Sequence, residues 1–206
     1  MTAHVSPQIL LGMKKRGFGE GHFNGFGGKV EPGETIAEGA ARELEEEAGI
    51  KCPDLKRTGQ IEFVFEGDPC MMEVHVYCGS QVVGEPTESE EMAPQWFPLD
   101  GIPLDTMWPD DEEWFPTMLH LTAQQQGAAP PATNATSHPV AQGDGDLFSA
   151  RFLFRGLSHI VSRQVQLVSE LPPCSEVTSI PMPWDSAKGE AWLKDMAAPA
   201  VAPPSA

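Results

Sequence analysis

The chain has few basic residues and no long apolar run. Its 206 residues include 13 Lys and Arg against 30 Asp and Glu, for a formal net charge of -17 at pH 7. A nucleic-acid polymer or an anionic membrane requires a basic protein surface, so this balance argues against both as partners. No apolar stretch reaches membrane-spanning length, and the first residues lack the pattern of a signal or transit peptide. These absences predict a soluble, cytoplasmic protein.

Cysteine is also scarce. The chain has 4 cysteines, at Cys52, Cys70, Cys78 and Cys174. Their spacing matches neither a zinc site nor a small disulfide framework, so we expect reduced structural thiols.

Glycine and proline are abundant, with 20 of each. Residues 122–146 and 171–206 combine Pro, Ala, Gly and Gln with almost no large apolar side chain, which predicts a disordered insertion and a disordered tail. Residues 1–121 then form the main part of one domain. Residues 147–170 recover strand character and are predicted to complete its sheet.

The most informative stretch is Gly27–Ile50. A glycine-rich turn leads into a predicted helix, in which Thr35 and Glu38 have the spacing of a capping box and Gly49 suits a left-handed exit. A projection at about 100° per residue gives one apolar stripe that we expect to face the core. Its members are Ile36, Ala37, Ala40, Ala41, Leu44 and Ala48.

Carboxylates gather along one edge of this stripe, at Glu43, Glu46 and Glu47. If they are partly buried, their mutual repulsion requires a cation or a raised pKa, and Mg²⁺ is the hard ion that oxygen ligands favour. The alternative is an acidic helix face in solvent, and acid content alone does not decide between the two.

Fixed positions across this stretch form a known signature: Gly28, Glu34, Arg42-Glu43-Leu44, Glu46-Glu47 and Gly49-Ile50. In these positions the chain resembles the Nudix hydrolases. The resemblance implies an α/β fold in which a mixed β-sheet lies between helices (α/β/α). It also implies a loop–helix–loop that holds Mg²⁺, with Mn²⁺ as an alternative, and hydrolyses a nucleoside diphosphate linked to another group.

The remaining elements follow from local pattern. Alternation predicts strands at Val5–Met13 (an edge strand), Gln60–Glu66 with Met71–Cys78 (a hairpin), Gln95–Pro98, and Leu147–Gly156 with Ser162–Val168 (a closing hairpin). A second helix is predicted from Trp108 to near Leu121, with Pro116 kinking or restarting it.

Three further stretches, Leu10–Gly19, Phe23–Val30 and Met107–Pro116, resemble the MutT-type branch of the family. This resemblance implies hydrolysis of oxidised purine nucleoside triphosphates, such as 8-oxo-dGTP and 2-hydroxy-dATP, to the monophosphate and pyrophosphate, which sanitises the nucleotide pool. The expected partner is a small nucleotide. A monomer is the default, and mitochondrial or nuclear pools are alternatives to the cytoplasmic one.

The resemblance carries roles onto matching positions. It implies catalytic roles for Glu43, Glu46 and Glu47, and Arg42 is expected to hold the rotamer of one glutamate. Which glutamate acts as the general base is left open. Metal ligands are the Gly27 carbonyl, Glu43, Glu46, Glu47 and Glu91. Substrate contacts are Lys14, Asn24, Phe26, Gly27, Gly28, Lys29, Trp108, Pro109, Asp110 and Asp111, and the pocket is lined by Phe18, Phe63, Phe65, Met72 and Met92.

These roles agree with the chemistry of the side chains. Trp108 can stack on a base, and Asn24 offers both a donor and an acceptor. If Asp110 and Asp111 converge on the base, one can keep its proton at neutral pH and donate while the other accepts. Helix capping for the aspartates and ordinary core packing for Trp108 are the alternatives.

The chain departs from the family pattern in its opening strand, which is cut short; in His22-Phe23, where the family has Arg-Trp; and in the insertion of residues 122–146. Two other functions therefore stay open. One is a Nudix hydrolase of another nucleoside diphosphate derivative. The other is a catalytically impaired, truncated variant acting in protein interaction.

Overall fold

The computed structural model describes residues 7–68, 70–127, 141, 143, 145–171 and 179–181. The predicted insertion and tail lie largely outside the described residues, where their disorder stays a prediction. The predicted start of the insertion is wrong, because residues 122–125 belong to a helix. No helix in the described ranges has the length and apolarity needed to cross a membrane.

The described chain forms strands and helices in this order: β1 (Gln8–Lys14), β2 (Phe23–Asn24), α1 (Ile36–Ala48), β3 (Lys56–Phe65), β4 (Cys70–Cys78), β5 (Met92–Pro98), a 3-10 turn (Leu104–Thr106), α2 (Asp111–Gln125), β6 (Leu147–Arg155), β7 (His159–Val168) and β8 (Ser179–Pro181).

The larger sheet has the order β7-β6-β3-β4-β8. Both predicted hairpins are confirmed, since β3 pairs with β4 and β6 with β7 in antiparallel register. β3 pairs with β6 in parallel, from Gly59 opposite Phe148 to Phe65 opposite Phe154, which makes the sheet mixed. Mixed pairing together with two helices confirms the predicted α/β class. β8 joins β4 within the segment predicted to be mostly disordered.

The smaller sheet has the order β2-β1-β5. The prediction that the first strand lies at an edge is wrong, because β5 pairs with β1 from Gln8 to Lys14 while Gly12 and Met13 pair with β2 on the other side. The described part of the opening segment is therefore held in place by strands on both sides. It does not enter the larger sheet.

The core lies between the larger sheet and α2. Phe148 and Phe152 are fully buried on the sheet face that α2 covers, and the Trp114 ring of α2 stacks on Phe148 with centroids 5.6 Å apart. This helix begins at Asp111, not Trp108, and ends at Gln125, not near Leu121. It begins late because Asp111 Oδ2 accepts the Trp108 backbone N–H, which holds residues 108–110 as a turn ahead of the helix. It runs through Pro116 without restarting.

Helix α1 confirms the predicted ends but not the predicted face. The capping box forms between Thr35 and Glu38, and Gly49 adopts a left-handed φ of 70°. Ala37 and Ala41, expected in the core, are exposed, whereas Glu47 is buried. α1 contacts β4 and β5 but is not enclosed on its alanine side, and Glu47 turns inward because it finds polar partners there. One carboxylate of the helix is therefore carried into the protein.

Candidate active site

Glu47 is the centre of the site. Only 5% of the residue is exposed, and both its carboxylate oxygens are engaged. Oε2 accepts the Gly27 backbone N–H at 3.0 Å, and Oε1 accepts from Lys14 Nζ at 3.1 Å. At this carboxylate the last turn of α1 contacts two other segments. One is strand β1, and the other is the glycine-rich turn that precedes α1 in the chain.

The second carboxylate comes from the loop before β5. Glu91 Oε2 accepts from Lys14 Nζ at 2.9 Å, and its Oε1 accepts from Arg16 at 2.7 Å. Lys15 pairs with Glu88 at 2.6 Å in the same region. The basic turn after β1 therefore docks on the acidic loop before β5, so the two oppositely charged segments neutralise each other.

Arg42 organises the other acids of the loop–helix–loop. Its guanidinium donates to Glu34 at 2.7 Å, to Glu43 at 3.0 Å and to Glu46 at 3.2 Å, and also to the Lys29 carbonyl at 3.1 Å. Arg42 thus binds two glutamates of the predicted acidic edge, Glu43 and Glu46. The arginine also ties the glycine loop to the helix through Glu34, which the sequence analysis used only as part of the signature.

Two glycines leave room for these carboxylates. A Cβ on Gly28 would overlap the Glu43 carboxylate, and one on Gly39 would lie 3.0 Å from Glu34 Oε1. Larger residues at either position would push an acid away from Arg42.

The acids differ in proton affinity because their surroundings differ. Burial raises the pKa of Glu47, and the hydrogen bonds from Gly27 and Lys14 only partly offset it. The hydrogen bond from Lys14 lowers the pKa of Glu91. Hydrogen bonds from Arg42 hold the pKa of Glu34 at about 2. Arg42 thus keeps Glu34 ionised, whereas burial makes Glu47 more ready to accept a proton.

The predicted metal ligands fit a hard divalent cation in donor chemistry, since they offer carboxylate and carbonyl oxygens. Lys14 marks a point where Glu47 and Glu91, from separate elements, converge on one positive charge. Across the described ranges, however, no three acidic, His or Cys side chains form a ready-made metal cluster. Glu46 is turned outward, with 60% of its side chain exposed.

Aromatic rings form a second cluster near the site. Phe18 and His22 both stack on the Trp108 indole, with centroid distances of 5.0 and 4.7 Å and interplanar angles of 18° and 7°. These two rings cover part of the indole surface on which a base could stack. Phe18 is 63% exposed, so it is the ring that the protein holds less firmly.

A cavity of about 530 Å³ opens beside this stack. Of the predicted substrate residues it is lined by Phe18, Trp108 and Pro109. Its other lining residues are Gly17, Gly19, Glu20, His22, Met107, Leu157 and Ser158.

The other predicted pocket residues lie elsewhere in the described structure. Phe63 stacks on Phe152 and Phe65 on Phe154, so both rings contribute to the core. Met72 is 39% exposed on β4, whereas Met92 is buried against Gly12. Asn24 is exposed, and its Oδ1 accepts the Gly25 N–H. Phe26, Lys29, Gly27 and Gly28 lie in the loop before α1. The roles assigned to these residues toward a substrate stay predictions.

Asp110 and Asp111 are both buried, with 6% and 2% of each residue exposed. Asp110 Oδ2 accepts from Trp114 Nε1 at 3.1 Å, and Asp111 Oδ2 accepts the Trp108 N–H at 2.9 Å. Burial raises the pKa of Asp110 to about 6. Burial, together with the negative charge of Asp110, raises the pKa of Asp111 well above its usual value. These raised pKa values favour a proton on the pair, and its role in reading a base stays a prediction.

This pair predicts a pH dependence of stability. The folded state keeps a proton that the unfolded chain loses near pH 4, so the unfolding free energy should fall as pH rises from about 4 to about 6. For Asp110 alone, the shift from 3.8 to about 6 corresponds to roughly 3 kcal/mol. Asp110→Asn should remove this part of the decline. Urea unfolding of both proteins from pH 4 to 7 measures it.

The matched control is Asp105→Asn in the 3-10 turn, where the aspartate is exposed. Its stability curve should run parallel to that of the unmodified protein. If the stability curve of Asp110→Asn also ran parallel to that of the unmodified protein, the buried Asp110 carboxyl would not be protonated in the folded state.

Sequence reasoning missed several residues of the site. Arg16 and Trp114 had no predicted role, although their side chains donate hydrogen bonds to Glu91 and Asp110. The opposite charges of the turn at Lys14–Arg16 and the loop at Glu88–Glu91 were a usable signal for their contact. No sequence signal indicates Leu157 and Ser158, which the β6–β7 turn brings to the cavity.

A glycine loop and an acidic helix joined through arginine, beside a mixed sheet, define a class of hydrolases. The chain belongs to the NUDIX family, because the family model described as the NUDIX domain matches residues 5–118. It is a Nudix hydrolase, as the resemblance predicted.

Two enzymes and one crystal structure are similar to this chain. The chain is 58% identical over 116 residues to the oxidized purine nucleoside triphosphate hydrolase of Mus musculus, covering 56% of this chain and 74% of that protein. It is 54% identical over 112 residues to the enzyme of the same name from Danio rerio, covering 54% and 72%. The crystal structure of a MutT protein from Bacillus halodurans has a TM-score of 0.56 at 22% identity, covering 77% of this chain and 89% of that one. At that identity the likeness concerns the fold alone.

Proposed function

We propose that the protein is an Mg²⁺-dependent pyrophosphohydrolase that converts oxidised purine nucleoside triphosphates to monophosphates and pyrophosphate, which removes mutagenic precursors from the nucleotide pool. The observation that carries this proposal is the identity of 58% and 54% to enzymes of this name over 74% and 72% of their lengths. The family match over residues 5–118 includes the elements that carry Lys14, Glu47 and Glu91, which meet in the structure.

The metal would be held by Glu47 and Glu91, with the Gly27 carbonyl, Glu43 and Glu46 as further candidates. When bound, a divalent cation neutralises phosphate oxygens and orients a water molecule. Glu47 is the candidate for direct binding because it lies deepest. Arg42 would act indirectly, since its bonds to Glu34 and Glu43 hold these carboxylates in place.

The base would be recognised next to Trp108. Displacement of Phe18 would uncover part of the indole, because that ring stacks on Trp108 and is largely exposed. Asp110 and Asp111 would read the base edge with one shared proton, so that a keto and an amino purine could both be bound. Asn24, Phe26, Gly28 and Lys29 stay predicted substrate contacts.

The proposal is tested with the purified full chain, Mg²⁺ and either 8-oxo-dGTP or 2-hydroxy-dATP. We expect pyrophosphate release and a monophosphate product by chromatography. No pyrophosphate from any oxidised purine triphosphate would overturn the proposal. ADP-ribose and a diadenosine polyphosphate serve as competitors, since preference for either would favour another Nudix substrate class. A monomeric state and a cytoplasmic location stay predictions.

A further inference from the structure

The Lys14 ammonium joins two of the candidate metal ligands. Its ammonium bonds to Glu47 at 3.1 Å and to Glu91 at 2.9 Å, and 18% of its side chain is exposed. These carboxylates come from α1 and from the loop before β5, and the ammonium joins them. Burial by itself disfavours the charge on Lys14, but the bonds to Glu91 and Glu47 outweigh it, and the pKa of Lys14 is raised.

The remaining acids of the loop–helix–loop are held by Arg42. It binds Glu34, Glu43 and Glu46, so two basic side chains neutralise the acidic cluster between them. Within the described ranges, no three acidic, His or Cys side chains form a group that could hold a metal ion. For a metal to bind, at least one of these internal ion pairs must open.

Of these ion pairs, we expect those of Lys14 to open when a metal binds. Each oxygen of Glu47 has two lone pairs, so the bond from the Gly27 N–H to Oε2 can remain while a metal binds. The Lys14 ammonium instead lies on Oε1 of Glu47 and on Oε2 of Glu91, between the two carboxylates. A divalent cation at that point would repel it strongly in a partly buried site.

We propose that Lys14 is a displaceable internal cation, which holds Glu47 and Glu91 together in the metal-free protein and is released when a divalent ion binds them. This inference rests on the metal site of the proposed function. Release leaves an ammonium beside the metal, where it can meet a substrate phosphate oxygen. The site then gains phosphate affinity only after the metal has entered.

The test measures Mn²⁺ binding to the full chain without substrate. Electron paramagnetic resonance reports the free Mn²⁺ at each point of the titration. Lys14→Met should bind Mn²⁺ roughly tenfold more tightly, because a charged hydrogen-bond pair no longer has to open. Metal-free Lys14→Met should also melt at a lower temperature than the unmodified protein. Saturating Mn²⁺ should raise the Tm of Lys14→Met by more than it raises the Tm of the unmodified protein.

Lys15→Met is the matched control. It removes the same charge from the neighbouring position, but the Lys15 ammonium contacts Glu88 and the Ser89 carbonyl rather than the carboxylate of Glu47 or Glu91. Its Mn²⁺ affinity should change by less than about twofold, since exposed charges interact weakly through solvent. Equal tightening in both variants would show only general electrostatics and would overturn the role of Lys14.

The outcomes separate this inference from the proposed function. Mn²⁺ binding with equal or weaker affinity in Lys14→Met refutes displacement and leaves the metal site standing. No Mn²⁺ binding to either protein refutes both.

A second measurement uses the unmodified protein and does not depend on the variant folding. In acetylation with acetic anhydride, read by mass spectrometry, Mg²⁺ should increase modification of Lys14 relative to Lys15 at least threefold. An unchanged ratio would contradict release.

Discussion

Replacing Glu47 by glutamine is expected to lower Mg²⁺-dependent turnover of an oxidised purine triphosphate by at least about 100-fold. Loss of a group that merely orients a metal ligand costs 10–100-fold, and Glu47 is the candidate direct ligand. Glutamine keeps an oxygen that can accept the Gly27 N–H, so the loop geometry should survive. Pyrophosphate release under saturating Mg²⁺ measures the effect, and thermal unfolding checks that the variant is folded.

Glu45→Gln provides the control, because it is the same substitution on the same helix. Glu45 is exposed and pairs with Lys51 at 3.1 Å, away from Lys14 and Arg42. Its turnover should stay within about twofold of the unmodified enzyme, as expected for an exposed ion pair of small energy. A folded Glu47→Gln protein with near-normal turnover would remove Glu47 from the metal site.

Asp110→Asn is expected to raise KM for oxidised purines by roughly 10- to 100-fold while kcat changes much less. The estimate follows from about 1–3 kcal/mol for a buried polar group left without its proper partner. Asparagine can still accept from Trp114 Nε1, which preserves the packing around the 3.1 Å bond. It cannot relocate a proton, so a keto and an amino purine should be affected unequally.

The measurement is therefore the ratio of kcat/KM for 8-oxo-dGTP and 2-hydroxy-dATP. We expect this ratio to shift by about tenfold or more, which is about 1.4 kcal/mol of discrimination. Asp105→Asn, at an exposed position before the helix, should leave the ratio unchanged. If Asp110→Asn alters neither KM nor the ratio, the carboxyl is structural and the base is read elsewhere.

Local signals predicted much of the fold. The ends of α1 were predictable because Thr35, Glu38 and Gly49 act within a few residues of themselves. Both hairpins were predictable because alternation and turns are also local. The edge position of β1 was predicted wrongly, since the partner on its second side, Phe23–Asn24, has no strand pattern of its own. The helix face was partly wrong because polar partners distant in sequence draw Glu47 inward.

In the site, too, local spacing was predictable and contacts between distant residues were not. The spacing from Gly28 to Ile50 was sufficient to recognise the family and the acids that carry its chemistry. Spacing could not show that Glu46 turns outward while Glu47 is buried, because both lie on the predicted acidic edge. It also could not show that Phe18 and His22 cover Trp108, because these rings are some 90 positions away in the chain.

The sequence by itself determined the reaction class, the helix that carries it and the acidic residues available to a metal. These depend on residue identity at short spacings, where the backbone geometry is known in advance. Only the tertiary structure decided which acids meet and which cation holds them. Lys14, Glu47 and Glu91 lie on three elements, and β-pairing and burial set the distances between them. Because burial also sets proton affinity, the raised pKa of Glu47 and of the pair Asp110 and Asp111 belongs to the fold rather than to the sequence.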